Sequence, residues 1–349
     1  MTRIVVMGGS FNPPTLAHYK LMHEAIDALD ADRGIFVPVS DAYLRRKMRH
    51  SHPPVVLSPG MRVRMLWSMC TDSRMTVCEK EIGTIEARTI PTLMELQEEY
   101  PDAELYFLMG ADKLNLLSHL AEKKNFLKEF EVALYSRDET GLESTLRESA
   151  VLSHYLHRIV TLPQPKGTDM VSSSMVRGRM LAGESCEDML CPGVWELFKS
   201  FRSEDFPDVI DRFTGEYEYL SNRFGCQFIW QGLRYNNAEA AFQSSKCTDM
   251  TGRKVFCNCS ADKSTLKGRD IAPPSGWEND QIPIMESVLV AKFGQNPSLM
   301  KRLAETGNTL LVNGSNKKDT FWGVDLYSWK GENRLGKILM EIRDKEKSR

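Results

Sequence analysis

The chain has 349 residues, 42% of them hydrophobic and 26% charged, with a formal net charge of −2. That length accommodates two domains of ordinary globular composition, each with a core of its own. The near-neutral charge argues against a dedicated nucleic-acid binder, no stretch has the apolar length of a membrane span, and the first residues read as a strand rather than a secretion signal. Eight scattered cysteines, among them Cys70, Cys78, Cys186 and Cys247, suit free thiols in a reducing cytoplasm. Cys257 and Cys259 form a C-x-C without a second pair, so no metal site is expected there. All seven histidines lie at or before His157, so any chemistry in the second half proceeds without imidazole.

The apolar run from Arg3 to Met7 predicts a buried strand. Gly8, Gly9, Ser10, Phe11, Asn12, Pro13 and Pro14 follow as a loop, and a helix is expected to open near Thr15 with His18 in its first turn. Glycines let a backbone approach phosphate closely, and the free amides of a helix start attract anions. A histidine at that position can donate to phosphate oxygens that gain charge during transfer. Further strands are predicted over 34–39, 75–79, 104–109, 131–135 and 158–162, with helical patterns between them, as over 16–29 and 59–70. This alternation implies an α/β, Rossmann-like parallel sheet covered by helices on both faces, with ligands beyond the carboxyl ends of its strands.

Three further segments fall at that edge. Arg45, Arg46 and Lys47 follow Pro38-Val39-Ser40-Asp41-Ala42-Tyr43 and read either as a phosphate-binding cluster or as a solvated basic loop. Gly110-Ala111-Asp112 sets an acid just past an apolar strand, placed for ribose hydroxyls or for a helix N-cap. Ser172, Ser173 and Ser174 open a helix that carries Arg177; the hydroxyls act as caps or, with the arginine, as a polyphosphate grip.

After Asp205 the rhythm changes, and the boundary falls between a first domain over 1–203 and a second over 207–349. Short aromatic strands over 226–230 and 310–312 mix with helices over 238–247, 282–293 and 335–344, an α+β pattern, and the charged tail from Asp344 reads as solvated. On the first of these helices Glu239, Gln243 and Lys246 recur at i, i+4 and i+7 as one polar stripe, with Phe242 and the alanines toward the core. In isolation such a stripe is an exposed face with a weak ion pair.

The first 202 residues resemble the nicotinamide/nicotinate mononucleotide adenylyltransferase family: GSFNPPT, a Thr-x-x-His version of its (T/H)xGH signature with Ala17 for the usual glycine, PVSDAY, GAD and SSSMVR occur in order. The resemblance implies in-line attack of a mononucleotide phosphate on the α-phosphorus of ATP, with Mg²⁺ accompanying the ATP and no covalent intermediate. It implies that His18 steadies the transition state, that Ser10, Phe11 and Arg45 hold the mononucleotide, that Gly110 and Asp112 bind the adenosine ribose, and that Ser173, Ser174 and Arg177 grip the phosphates. The family often stacks a tryptophan on the pyridine shortly after GAD. Here that stretch offers only His119, read as a surface helix residue, so the choice between nicotinamide and nicotinate stays open. Related transferases acting on phosphopantetheine or choline phosphate share the glycine loop.

Residues 208–344 are similar to NADAR (YbiA-like) domains through Phe213–Asn222, the 238–246 helix, Asp319-Thr320-Phe321-Trp322-Gly323 and Gly331–Met340, again in order. The resemblance implies N-glycosidic cleavage of ribosyl- or ADP-ribosyl-linked bases, ADP-ribosylated nucleic acid among the possible substrates. Glycosidic cleavage needs a carboxylate near C1′, for which Glu239 is the first candidate and Asp319 the second. Lys246 would orient the acid, Trp277 or Trp322 would stack on a base, and Asn333 and Arg334 would hold phosphate or ribose. Asn313 stands where the family commonly has glutamate, which favours an alternative: a sensor that binds NAD or ADP-ribose without cleaving it. The expected protein is thus a cytoplasmic two-domain enzyme acting on small nucleotides, away from membranes, whose assembly into an oligomer is not legible from these residues.

Overall fold

A computed structural model describes residues 2–347 except 87, 125, 137–138 and 316–318, with the backbone alone at 123–124 and 139–140. The chain divides into two compact units, Met1–Phe206 and Pro207–Arg349. In the first, the elements are β1 (Thr2–Gly9), α1 (Leu16–Ala28), β2 (Arg33–Pro38), α2 (Asp41–Met48), α3 (Pro59–Met69), β3 (Met75–Val77), α4 (Thr89–Glu99), β4 (Ala103–Gly110), α5 (Leu114–Lys124), α6 (Phe126–Glu129), β5 (Glu131–Ser136), α7 (Glu139–Glu148), β6 (Ile159–Pro163), α8 (Ser173–Leu181) and α9 (Pro192–Phe198).

The strands form one parallel sheet in the order β3-β2-β1-β4-β5-β6, with Val5 of the central β1 paired to Gly34 on one side and Tyr106 on the other. Alternate strand residues feed two cores, because successive side chains leave opposite faces. Val5, Met7, Phe36, Tyr106 and Leu108 pack with α1, α3, α8 and α9, whereas Ile4, Val6, Ile35, Leu105 and Phe107 pack with α4 to α7. This is the α/β architecture that the alternating pattern predicted. Strand order reverses between β1 and β4, the switch point above which ligands sit in such sheets. Local chemistry fixes the helix starts there: Ser58 accepts from the Met61 amide ahead of Pro59, and Ser172 accepts from Met175.

The second unit comprises β7 (Val209–Ile210), β8 (Phe228–Trp230), β9 (Leu233–Tyr235), α10 (Ala238–Ser244), α11 (Met250–Lys254), α12 (Ala261–Arg269), α13 (Trp277–Gly294), α14 (Pro297–Glu305), β10 (Leu310–Leu311), β11 (Gly314–Ser315), β12 (Val324–Asp325) and α15 (Arg334–Lys347). Three two-stranded pairings, β10 with β7, β11 with β12 and β8 with β9, surround a core that includes Tyr219, Tyr235, Phe242, Met285, Phe293 and Leu339. Three boundaries differ from expectation. The helix expected to reach 247 stops at Ser244, where the hydroxyls of Ser244 and Ser245 bond the Ala241 and Phe242 carbonyls; Lys246 therefore lies past the helix. The helix expected from 282 begins at Trp277 and runs through Pro283, which lies inside it and removes one backbone bond without ending it. The helix expected to end at 344 runs on as α15 to Lys347, with Asp344, Lys345 and Lys347 exposed as expected of a solvated tail, Lys345 bonded to Glu286 and Lys347 to the Gly307 carbonyl; residues 348–349 lie outside the described residues. No helix among the described residues is long and apolar enough to cross a membrane.

Candidate functional site

Above the switch point of the first unit lies a cavity of about 760 Å³, lined by Gly8, Gly9 and Ser10 at the end of β1, Lys47 of α2, and Gly110 and Asp112 after β4. A Cβ on Gly110 would stand 2.5 Å from the Asp112 carboxylate and would push that exposed side chain aside. Asp112 itself is exposed and pairs with Lys113.

His18 sits in the first turn of α1. The Thr15 amide donates to its Nδ1 at 3.0 Å, and the Thr15 hydroxyl lies 2.7 Å from the same nitrogen. Nδ1 is thereby an acceptor, so the neutral ring carries its proton on Nε2. Burial, and secondarily the Lys47 charge, push the His18 pKa down from 6.5 to about 4. The ring is a neutral donor at physiological pH.

Of the two nearby cations, Lys47 lines the cavity, whereas Arg177, like His18, lies outside its lining but close enough for its charge to act on Lys47. Lys47 donates to Ser10 Oγ at 3.0 Å, while Arg177 donates to the Asn12 carbonyl at 2.8 Å and to Ser174 Oγ at 3.0 Å. Neither forms an ion pair with a carboxylate among the described residues. Burial lowers the pKa of both, and Arg177 and then Lys113 lower that of Lys47 further. Cations that repel one another and lack counter-charges are suited to a polyanion.

The remaining expected residues divide. Ser173 donates to the Pro13 carbonyl at 2.7 Å and so ties α8 to the loop; Thr15 and Ser172 serve at the starts of α1 and α8. Arg45 and Arg46 are not brought to the cavity: Arg45 bonds Asp41 at 2.7 Å and Arg46 the Ile85 carbonyl at 2.9 Å. Consecutive helical residues diverge by about 100°, so three adjacent cations cannot share one target. Phe11 is 1% exposed, wedged edge-on between His18 and Phe36; its ring is part of the core and cannot stack on a mononucleotide. His119 is exposed on α5, and Leu116 lines the cavity instead. Sequence reasoning missed Arg62, fully buried on α3, which donates to the Ser10 carbonyl at 3.0 Å from beneath the loop. It is held near pH 10 by burial, opposed by Asp41.

In the second unit, Glu239 faces α12 rather than solvent. Its Oε1 accepts from Gln243 Nε2 at 2.9 Å and from Thr265 Oγ1 at 3.0 Å. Lys246 donates to the Gly268 carbonyl at 2.7 Å and stands 5.2 Å from the Trp277 ring centre; burial lowers its pKa while Glu239 raises it. Trp277 and Trp322 both pack on Phe242, with ring centres 5.4 and 5.3 Å away. Arg334 lies over the Phe321 ring and pairs with Glu332. Asp319 is committed through Oδ1 to the amides of Phe321 and Trp322, shaping that turn. Asn333 is a correction: its Oδ1 accepts from the Asn313 amide and its Nδ2 donates to the Leu311 carbonyl, so both ends of the side chain hold backbone and neither is open to phosphate or ribose. Thr265 and Lys292 were not foreseen. Lys292 is fully buried, donates to the Tyr219 and Ser221 carbonyls at 2.8 Å each, and is lowered to about 8 by burial.

A parallel sheet with a glycine-floored cavity at its switch point, Lys47 on its wall, defines a nucleotide-handling unit of the nucleotidyltransferase class, joined in one chain to a smaller α+β unit. The chain belongs to the cytidylyltransferase-like family over residues 6–179 and to the NADAR domain family over residues 211–345. Over 204 residues it is 28% identical to a probable nicotinate-nucleotide adenylyltransferase of Shouchella clausii, covering 57% of this chain and 95% of that protein. Over 126 residues it is 36% identical to an N-glycosidase of Acanthamoeba polyphaga mimivirus, covering 32% of this chain and 74% of that protein. Among solved structures, the Escherichia coli protein YbiA aligns with 30% identity and a TM-score of 0.37, over 41% of this chain and 88% of that one.

Proposed function

We propose that the chain is a bifunctional enzyme of pyridine-nucleotide metabolism. The first unit transfers the adenylyl group of ATP to nicotinamide or nicotinate mononucleotide. A phosphate oxygen of the mononucleotide forms a bond to the α-phosphorus, and the bond to the bridging oxygen breaks, releasing pyrophosphate. The observation that carries this reading is the trio of His18, Lys47 and Arg177, three donors without a carboxylate partner among the described residues, beside a cavity floored by glycine. Such a site works by positioning and charge stabilisation. His18 Nε2–H and the Arg177 guanidinium hold the charge that grows on the phosphates, Lys47 and Ser10 fix the attacking group, and Asp112 takes ribose hydroxyls. Mg²⁺ would enter on ATP, held by its phosphates and water, because imidazole, ammonium and guanidinium groups do not ligate it. Incubation of the purified chain with Mg·ATP and either mononucleotide should give the dinucleotide and pyrophosphate in equal amounts; formation of neither dinucleotide overturns the reading.

The second unit hydrolyses an N-glycosidic bond of a ribosyl or ADP-ribosyl compound. The C1′–N bond breaks with its electron pair leaving on the base, and water adds at C1′ and gives up a proton; a guanine leaving group takes up that proton, whereas a pyridinium leaves as neutral nicotinamide and the proton passes to solvent. Glu239 stabilises the cationic C1′, Lys246 lies beside it, and Trp277 and Trp322 offer faces to a base. Release of free base from NAD, nicotinamide mononucleotide or ADP-ribosylated guanosine tests this. A second reading, a sensor without cleavage, is favoured by Asn313, whose side chain is turned to the Trp322 carbonyl at 3.5 Å; binding of ADP-ribose with no base released from any of the three would establish it.

A further inference from the structure

Two hydrogen bonds converge on one oxygen of Glu239, and the surroundings of the donors show that the convergence is built. Gln243 Nε2 reaches Oε1 from one turn later on α10, and Thr265 Oγ1 reaches the same atom from α12. A carboxylate can only accept, so the amide must present its nitrogen to Glu239. That orientation leaves Gln243 Oε1 buried without a partner, pressed against Gly268 where a Cβ would lie 2.0 Å from it. The fold thus retains an unsatisfied oxygen in order to keep the nitrogen on the acid. The single Thr265 hydroxyl proton has two acceptors at 3.0 Å, Glu239 Oε1 and the Ala261 carbonyl of its own helix, and the charged oxygen is the stronger of the two. Oε2 of Glu239 accepts no hydrogen bond from the described residues.

We propose that Thr265 and Gln243 are positioning residues that clamp Glu239 through Oε1 and reserve Oε2 as the oxygen presented to the cationic C1′ of the substrate. The proposal rests on the glycosidase reading of the second unit. A carboxylate free to rotate would spread its charge over many directions, whereas one held at a single oxygen keeps the other aimed before substrate arrives. Neither donor touches substrate; both act through Glu239.

The experiment uses the full chain. Thr265→Val keeps the shape and removes the hydroxyl, Thr265→Ser keeps the hydroxyl, and Gln243→Met removes the amide. Base release is followed on whichever of NAD, nicotinamide mononucleotide and ADP-ribosylated guanosine the unmodified chain cleaves fastest. Thr265→Val and Gln243→Met should each lower kcat about tenfold, the worth of one hydrogen bond to a charged group, with KM unchanged, and Thr265→Ser should restore kcat to within about twofold. In parallel, infrared difference spectra against Glu239→Gln isolate the Glu239 carboxylate bands, which should move in Thr265→Val and stay in place in Thr265→Ser. Wild-type kcat in Thr265→Val, a loss shared by kcat and KM that serine does not repair, or unmoved carboxylate bands each overturn the proposal. If the unmodified chain releases no base, the glycosidase reading fails, and the infrared arm still decides whether Thr265 and Gln243 hold the acid.

Discussion

The two sites treat charge in opposite ways. In the first unit, among the described residues, Lys47 and Arg177 bond only neutral oxygens, and burial lowers the basicity of both, with Arg177 lowering that of Lys47 further. In the second, Glu239 already has two donors, Lys246 a carbonyl, and Arg334 a carboxylate partner. Among the described residues, one site leaves its cations without counter-charges, and the other holds its carboxylate with two donors. The first arrangement suits a reaction in which the substrate carries the charge, the second a reaction in which charge appears on a sugar only at the transition state.

This contrast can be broken most directly at His18. Replacing it with alanine should remove on the order of 3 kcal/mol of transition-state stabilisation, about a hundredfold in kcat for dinucleotide synthesis. Base release by the second unit should be unaffected. Equal loss of both activities would mean that the two sites are not independent.

Lys292→Met sharpens the comparison from the other side. It strands two carbonyls bonded by a buried ammonium and should cost about 2–3 kcal/mol. Urea unfolding should show the second unit's transition moving to lower denaturant while dinucleotide synthesis persists in native buffer.

A smaller effect separates neighbours. Lys47→Ala should lower kcat/KM for the mononucleotide about tenfold, since a phosphate loses a charged donor, whereas Arg45→Ala, which removes the exposed bond to Asp41, should stay within about twofold. Comparable losses would restore the three-cation cluster that the sequence suggested.

The finest test is the titration of His18, read by NMR of its ring protons in the ligand-free chain. A midpoint near pH 4 is expected, against 6.5 for an ordinary histidine. Between those values the unfolded chain binds the proton and the folded chain does not, so this group makes stability fall as pH drops from 6.5 toward 4. A midpoint near 6.5 would make His18 a charged donor in mildly acidic conditions and narrow the difference between it and the cations.

What the sequence conveyed depended on range along the chain. β1, the loop and His18 were legible because one short stretch contains strand, glycines and helix start. Glu239 and Gln243 were legible because four residues on a helix make neighbours. Thr265 lies 26 residues from Glu239, Arg62 lies 52 from Ser10, and Lys292 lies 73 from Tyr219; nothing local marks them, and a lysine or arginine on an amphipathic helix looks solvated until the fold closes over it. The triplet Arg45-Arg46-Lys47 misled for the converse reason, since adjacency in sequence is divergence on a helix. Asn333 misled because its left-handed backbone, at φ 50°, turns its amide inward against β10.

Phe11 holds a left-handed backbone at φ 44°, and its ring would lie 2.9 Å from a Cβ placed on Gly9. The ring therefore acts as a rigid bed beneath the loop: the main chain above it has nowhere to sink. Under the function proposed above, an arriving nucleotide would encounter amides whose freedom was given up during folding, so little disorder would remain to be lost on association. Gly9→Ala would force bed and loop apart, and the loss should register mainly as a less favourable binding entropy rather than as a lost contact.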